Sequence, residues 1–329
     1  MILFCYGTRP EYIKMKKLIE LCGDEINHKV LFVRQHTDIV FGDYDYAIII
    51  SNMTNRLDSI VSSVLFEMNE IPLELYDYVM VQGDTATAFA VALSAYNHGV
   101  NVIHLEAGLR TYDKENPYPE EVYRQLISRI AAVHLCPTKA NADNLLMERA
   151  LGETYVVGNT VLDNLLGVET EYQNKVLVTL HRRENHNQIQ EWFREIDNIA
   201  KENPELEFLL PIHPNPNVKK HQSILKYVKV VDPLNHSELI DYLRLCKLVI
   251  TDSGGIQEEG SFLNKKVIVC RKVTERQESL GIHSFLCGNP NDLKEVFNRI
   301  KDDYVVSEPC PYGDGHSTEK IVNILKSII

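Results

Sequence analysis

The acids of this chain collect directly after short apolar runs. Tyr78–Gln82 runs into Gly83-Asp84-Thr85, and Asn101–Leu105 runs into Glu106-Ala107-Gly108-Leu109-Arg110. Glu120 opens an amphipathic stretch preceded by Pro117 and Pro119, residues suited to a first helical turn. Acids held close together raise one another's pKa, which is how a protein obtains a general acid or base near neutral pH. Each also has a plain structural role. Asp84 can cap a helix, Glu106 can pair with Arg110, and Glu120 can pair with Arg124 four residues on. Taken together, the three favour proton-transfer chemistry.

Other strand-like runs end in groups suited to an anion. Ile2–Tyr6 is followed by Gly7-Thr8-Arg9-Pro10-Glu11, with Lys14 one turn later. Arg9 and Lys14 either place positive charge at a helix N-terminus, where anions bind well, or are simply solvated. Lys175–Leu180 ends in His181-Arg182-Arg183-Glu184, and Glu207–Ile212 ends in His213-Pro214-Asn215. Singly, His181 and His213 also read as satisfied core histidines. Leu248–Thr251 ends in Asp252-Ser253-Gly254-Gly255, a turn whose backbone N–H groups can cradle a phosphate. Glu259, a turn further on, is placed to accept hydrogen bonds from ribose hydroxyls, and Arg276 lies in a cationic loop after Lys266–Cys270. There is no G-x-x-x-x-G-K-[ST] phosphate loop, no G-x-G-x-x-G dinucleotide fingerprint, and no Cys/His cluster with metal-ligand spacing.

What must position these groups is a series of parallel strands. Apolar runs alternate with helical periodicity along the whole chain, the pattern of doubly wound parallel sheets. Strands are predicted at Ile2–Tyr6, Lys29–Arg34, Tyr46–Ile50, Tyr78–Gln82, Asn101–Leu105 and Val133–Cys136. A second set falls at Lys175–Leu180, Glu207–Ile212, Val228–Val231, Leu248–Thr251 and Lys266–Cys270. Helices are predicted between them, with a last one at Ser317–Ile328. In the helix after Pro119, Val122, Leu126 and Ile130 recur every four residues as an apolar stripe. Gly167–Asn174 reads as a linker. The predicted division is residues 1–166, 167–310, and a C-terminal segment 311–329.

Length agrees: 329 residues suggest two domains. Lys and Arg number 34 against 46 Asp and Glu, a formal charge of −12, which points away from nucleic acid. No apolar run reaches the roughly 20 residues of a membrane helix, and the N-terminus reads as a strand rather than a leader. The 7 scattered cysteines, without C-x-x-C, read as buried thiols of a reducing cytoplasm.

The ordered set of motifs resembles the non-hydrolysing UDP-N-acetylglucosamine 2-epimerases. It consists of GTRPEYIKM (7–15), QGDTATA (82–88), HLEAGLRT (104–111), PYPEEVYRQ (117–125), VVGNTVLD (156–163), LVTLHRREN (177–185), PIHPNPNV (211–218), TDSGGIQEE (251–259), TERQE (274–278) and PYGDG (311–315). The resemblance implies a GT-B architecture, two Rossmann-like domains with the active site in the cleft between them and the last helix returning to the first domain. It implies reversible inversion at C2 of a UDP-HexNAc, by anti elimination of UDP to a 2-acetamidoglucal and re-addition, without NAD or metal. By motif it assigns Asp84, Glu106, Glu120 and His181 to catalysis. It assigns Arg9, Lys14, His213, Ser253, Gly254, Gly255, Glu259 and Arg276 to substrate binding, with a homodimer as the assembly. The family's uracil-side aromatic corresponds to Leu239. Its regulatory Gln-His-Arg-type segment corresponds to Gln35-His36-Thr37-Asp38, and a downstream Arg to Ser63. Neighbouring readings are a 2-epimerase of a 6-deoxy UDP-HexNAc, a hydrolysing 2-epimerase, a GT-B glycosyltransferase, or a nucleotide-sugar sensor without catalysis.

Overall fold

The computed structural model describes residues 1–34, 42–50 and 55–329. The segment Gln35–Asp38 therefore lies outside the described residues. The chain divides into two units, Met1–Asn164 with Gly313–Ile329, and Leu165–Tyr312.

The first unit alternates strand and helix. In chain order these are β1 (Ile2–Tyr6), α1 (Arg9–Cys22), β2 (His28–Arg34), β3 (Tyr46–Ile49), α2 (Arg56–Glu67), β4 (Tyr78–Gln82), α3 (Ala86–Asn97), β5 (Asn101–Leu105), α4 (Glu120–Ile130), β6 (Val133–Cys136), α5 (Lys139–Met147) and β7 (Glu153–Val156). All strand pairs are parallel, in the order β3-β2-β1-β4-β5-β6-β7. Winding reverses at β1, so the turns after β1 and β4 meet at the sheet's switch point, where open α/β sheets bind ligands.

The second unit repeats the plan with β8 (Lys175–Thr179), α6 (Ile189–Glu202), β9 (Glu207–Pro211), α7 (Pro216–Lys219), β10 (Lys229–Val231), α8 (His236–Leu243), β11 (Leu248–Thr251), α9 (Gly254–Phe262), β12 (Lys266–Val269), β13 (Ser284–Leu286) and α10 (Leu293–Ile300). Its parallel sheet runs β10-β9-β8-β11-β12-β13, with the switch point at the ends of β8 and β11. The final helix, α11 (Ser317–Ile328), belongs to the first unit. Its Ile321, Val322 and Leu325 share a core with Met15, Leu18 and Cys22 of α1. Buried Asp163 caps it, accepting from the Ser317 and Thr318 backbone N–H groups at 3.0 and 2.6 Å.

Apolar spacing explains why the elements pack as they do. On α6, Ile189, Trp192, Phe193, Ile196, Ile199 and Ala200 form one stripe that fills the core of the second unit. In the first unit, α2, α3 and α4 cover one sheet face and α1 and α11 the other. The predicted stripe on α4 is divided: Val122 and Leu126 are 39% and 43% exposed, Ile130 packs on the core, and Glu121, Arg124, Ile127 and Ser128 face inward. The helix turns its polar residues toward the strand ends because those residues satisfy charges and backbone groups there. Strands β7 and β13 and helix α5 were not read from the sequence. Both strands are short and lie at sheet edges.

Six of the seven cysteines are buried free thiols. Burial pushes Cys136 up to about 12, which leaves it an inert thiol. No helix among the described residues is long and apolar enough to cross a membrane.

Candidate active site

The turn after β1 is built by a capping box. Thr8 accepts from the Glu11 backbone N–H, while Glu11 Oε2 accepts from the Gly7 and Thr8 backbone N–H groups at 2.8 and 2.6 Å. Glu11 Oε1 accepts from the Thr85 hydroxyl at 2.5 Å, and Thr85 in turn caps α3. This buried carboxylate therefore ties the β1 turn to the β4 turn, and burial raises its pKa despite those donors. Gly7 is needed for the same close approach. A Cβ there would lie 2.6 Å from the Thr87 hydroxyl. Arg9 is exposed at the first position of α1.

Lys14 reaches from α1 to the end of β5, its Nζ 2.5 Å from Glu106 Oε2. Glu106 also accepts from Gln82 Nε2 and, at 3.5 Å, from Asn159 Nδ2. Its φ of 66° is left-handed, which costs a non-glycine residue about 1–2 kcal/mol and is typical of functional turns. The expected mutual repulsion of acids is thus replaced by pairing with cations. Asp84 is paired with Arg124 of α4, and Thr85, not Asp84, caps α3. Arg110 turns away from Glu106 and makes a bidentate pair with Glu148 at 2.6 and 2.9 Å. Glu120 is half-buried in the first turn of α4. Arg124, missed in the sequence, is the group that joins the Asp84 turn to α4. Its only signal in the sequence is its i,i+4 spacing from Glu120, which says nothing of Asp84, 40 residues away.

In the second unit the turn after β8 is held by Asp252, fully buried after β11. Its carboxylate accepts from the His181 N–H at 3.0 Å, the Arg182 N–H at 2.8 Å and Asn185 Nδ2 at 3.0 Å. His181 and His213 stack with ring centroids 5.0 Å apart and planes inclined by 12°. Burial lowers the pKa of both, and for His213 the neighbouring His181 lowers it further, so both imidazoles are neutral at pH 7. Asp252 partly opposes the shift at His181.

The turn after β11 departs from its expected form at one atom. The Ser253 N–H donates to Thr251 Oγ1 at 2.9 Å and is consumed inside the turn. The N–H groups of Gly254 and Gly255, at the first positions of α9, and the Ser253 hydroxyl are the remaining candidates for a cradle. Gly254 is required by Arg276, since a Cβ would lie 2.6 Å from the guanidinium carbon. Arg276 is itself buried and bound on both sides. Its Nε donates to Glu258 at 2.6 Å, and its Nη1 pairs with Glu275. Glu275 also pairs with Arg271 at 3.0 Å, and Arg271 with Glu184 at 2.8 Å. The carbonyl of Arg276 accepts from Gln257 Nε2 at 2.9 Å and the Tyr312 hydroxyl at 3.1 Å. The expected convergent positive charge is therefore a chain of compensated ion pairs. Glu259 is buried one turn into α9, its Oε1 2.7 Å from His236 Nε2.

The family model for UDP-N-acetylglucosamine 2-epimerase matches residues 25–326. The UDP-N-acetylglucosamine 2-epimerase of Campylobacter jejuni is 35% identical, over 98% of this chain and 97% of its own. A solved structure from Listeria monocytogenes superposes with a TM-score of 0.90 at 33% identity, covering 99% of this chain and 95% of that one. The enzyme of Neisseria meningitidis bound to UDP-GlcNAc superposes with a TM-score of 0.88 at 30% identity, covering 99% of each. Sequence and fold agree over essentially the whole chain: two parallel-sheet α/β units of the GT-B class, in a protein that belongs to the UDP-N-acetylglucosamine 2-epimerase family.

Proposed function

We propose that this isomerase inverts C2 of UDP-N-acetylglucosamine, reversibly giving UDP-N-acetylmannosamine, by anti elimination and re-addition of UDP through a 2-acetamidoglucal. The observation that carries this reading is the division of polar groups. The first unit's switch point holds acids paired with cations, Glu106 with Lys14 and Asp84 with Arg124. The second unit's switch point holds the glycine-rich start of α9, the buried Arg276 and the acid Glu259. The C2 hydrogen lies next to no carbonyl, so direct abstraction has no way to delocalise charge. Departure of UDP first leaves positive charge on the ring, which acidifies that hydrogen. In this reading Asp84, Glu106 and Glu120 share ring-charge stabilisation and proton transfer. His181, Arg276 and the α9 N-terminus receive the leaving diphosphate, with Ser253, Gly254 and Gly255 on the phosphates and Glu259 on the ribose. Arg9, Lys14 and His213 complete the set of groups around the substrate.

Incubation with UDP-GlcNAc alone, followed by NMR, tests the reading. UDP-ManNAc is the expected product. Free ManNAc with UDP would indicate a hydrolysing enzyme. No conversion would indicate a 6-deoxy substrate or an acceptor-dependent transferase.

The homodimer implied by resemblance has support on the α2–α4 face of the first unit. Phe66, Tyr96, Val122 and Leu126 are exposed there, and Tyr123 stacks on Phe89 at 5.0 Å. An apolar surface of this kind marks an association site. Sedimentation is expected to give the mass of two chains, and Leu126→Glu to give one. An unchanged dimer in that variant would place the interface elsewhere. Buried free thiols support a reducing cytoplasm as the location.

A further inference from the structure

We propose that Glu121 is a positioning residue for the reaction, a buried carboxylate that fixes Arg124, and through it Asp84, to the turn that follows Glu106. The inference rests on the reading of Asp84 and Glu106 above.

Glu121 is fully buried. An ionised carboxylate in that setting costs several kcal/mol unless it is paired and hydrogen-bonded. An apolar side chain of similar volume would serve the packing of α4 at least as well. The carboxylate is instead shared between two partners that lead to different strand ends. On one side, Oε2 accepts from the Thr111 N–H at 3.0 Å, and Oε1 accepts from the Tyr112 N–H at 3.0 Å. On the other, Oε2 lies 3.3 Å from Arg124 Nη1, and Arg124 Nη2 donates to Asp84. Gln125 Nε2 adds a donor to Oε1 at 2.8 Å.

The turn that Glu121 holds needs holding. Residues 106–112 begin and end on left-handed non-glycine residues, Glu106 at φ 66° and Tyr112 at φ 57°. Such conformations persist only where the surroundings over-determine them. One clamp is Arg110, bound to Glu148 and to the Ser128 hydroxyl. Glu121 is another, and its carboxylate connects this turn directly with the guanidinium that holds Asp84. One side chain thus helps to set the spacing of two candidate catalytic carboxylates while directing both its oxygens into the protein.

The test uses Glu121→Gln and Glu121→Asp, each alone and in an Asp84→Asn background. A glutamine has one acceptor and one donor at its tip. Either orientation sets its amide against the Thr111 or the Tyr112 N–H, so geometry is disturbed. Turnover on UDP-GlcNAc is expected to fall about 10–100-fold, the scale of a misplaced catalytic group. UDP affinity by calorimetry should stay within about twofold, because the diphosphate groups lie in the other unit. Aspartate keeps the charge and should recover part of the loss. In the Asp84→Asn background the loss from Glu121→Gln should shrink, since both changes act through one pair. Wild-type turnover in Glu121→Gln, or equal losses in both backgrounds, would overturn the proposal. So would failure of both variants to give a protein that binds UDP, since Glu121 would then serve folding alone. Asp84→Asn by itself separates the two layers. Full activity there removes Asp84 from catalysis and the positioning role with it, whereas a loss there with Glu121→Gln fully active overturns only the claim for Glu121.

Discussion

Glu106→Gln is expected to lower turnover by about 10²–10⁴-fold, the usual contribution of a general acid–base group. The substitution keeps size and shape, and glutamine tolerates the left-handed backbone at this position about as well as glutamate. What it removes is charge. Lys14 Nζ, 2.5 Å from Glu106 and mostly buried, then faces a neutral amide and loses its counterion. Gln82 and Asn159 meet a group that offers one acceptor oxygen instead of two. The proton-transfer step should therefore suffer while nucleotide binding, assigned in the proposal to the second unit, persists. A slowed re-addition lets the intermediate escape, so UDP and 2-acetamidoglucal should accumulate in NMR spectra of the variant. In D₂O the wild-type product should carry deuterium at C2 and at no other ring position. Product free of solvent deuterium, or full activity in Glu106→Gln and in the corresponding variants of Asp84 and Glu120, would exclude proton transfer by these acids.

The value of that experiment depends on what could and could not be read before the fold was known. Strand ends were legible because a buried parallel strand is a run of apolar residues, and the polar residues that follow it have only the sheet edge to occupy. That logic located β1, β4, β5, β8, β9, β11 and β12 and the candidate side chains that follow them, while Glu120 was read from the helix that Pro119 precedes. It could not find β7 or β13, edge strands whose patterns are short and mixed. Nor could it find the partners of the candidates, because ion pairs such as Lys14–Glu106 and Arg124–Asp84 span 92 and 40 residues of sequence. Helix α4 shows the failure in detail. Of its i,i+4 apolar stripe only Ile130 packs on the core; Val122 and Leu126 are exposed, and the fold buries Glu121, Arg124, Ile127 and Ser128 instead. Periodicity identifies two faces of a helix. Which one turns inward is decided by what waits there, and here that is Asp84 and two backbone N–H groups.

The same lesson changes the expected behaviour of Arg276. Read as a cation in a loop, Arg276→Ala should weaken UDP binding by about 1–3 kcal/mol, the range of a charge-assisted contact. The structure adds a larger effect. Arg276 is buried between Glu258 and Glu275, and its removal leaves two acids in the interior without their shared cation. Breaking buried pairs in this way costs about 3–5 kcal/mol of stability. Arg271 still holds Glu275 at 3.0 Å, so the damage should centre on Glu258. Arg276→Ala is therefore expected to melt markedly earlier than wild type as well as to bind UDP poorly, and affinity alone cannot separate the causes. Arg276→Lys separates them. It keeps a positive charge between Glu258 and Glu275 and loses the planar fork. If Arg276 touches the diphosphate, Arg276→Lys should lose UDP affinity by several-fold or more with a smaller fall in melting temperature than Arg276→Ala. Calorimetry that finds unchanged UDP affinity in a folded Arg276→Lys or Arg276→Ala protein would leave Arg276 as a structural centre of the second unit and pass the diphosphate to the backbone of α9.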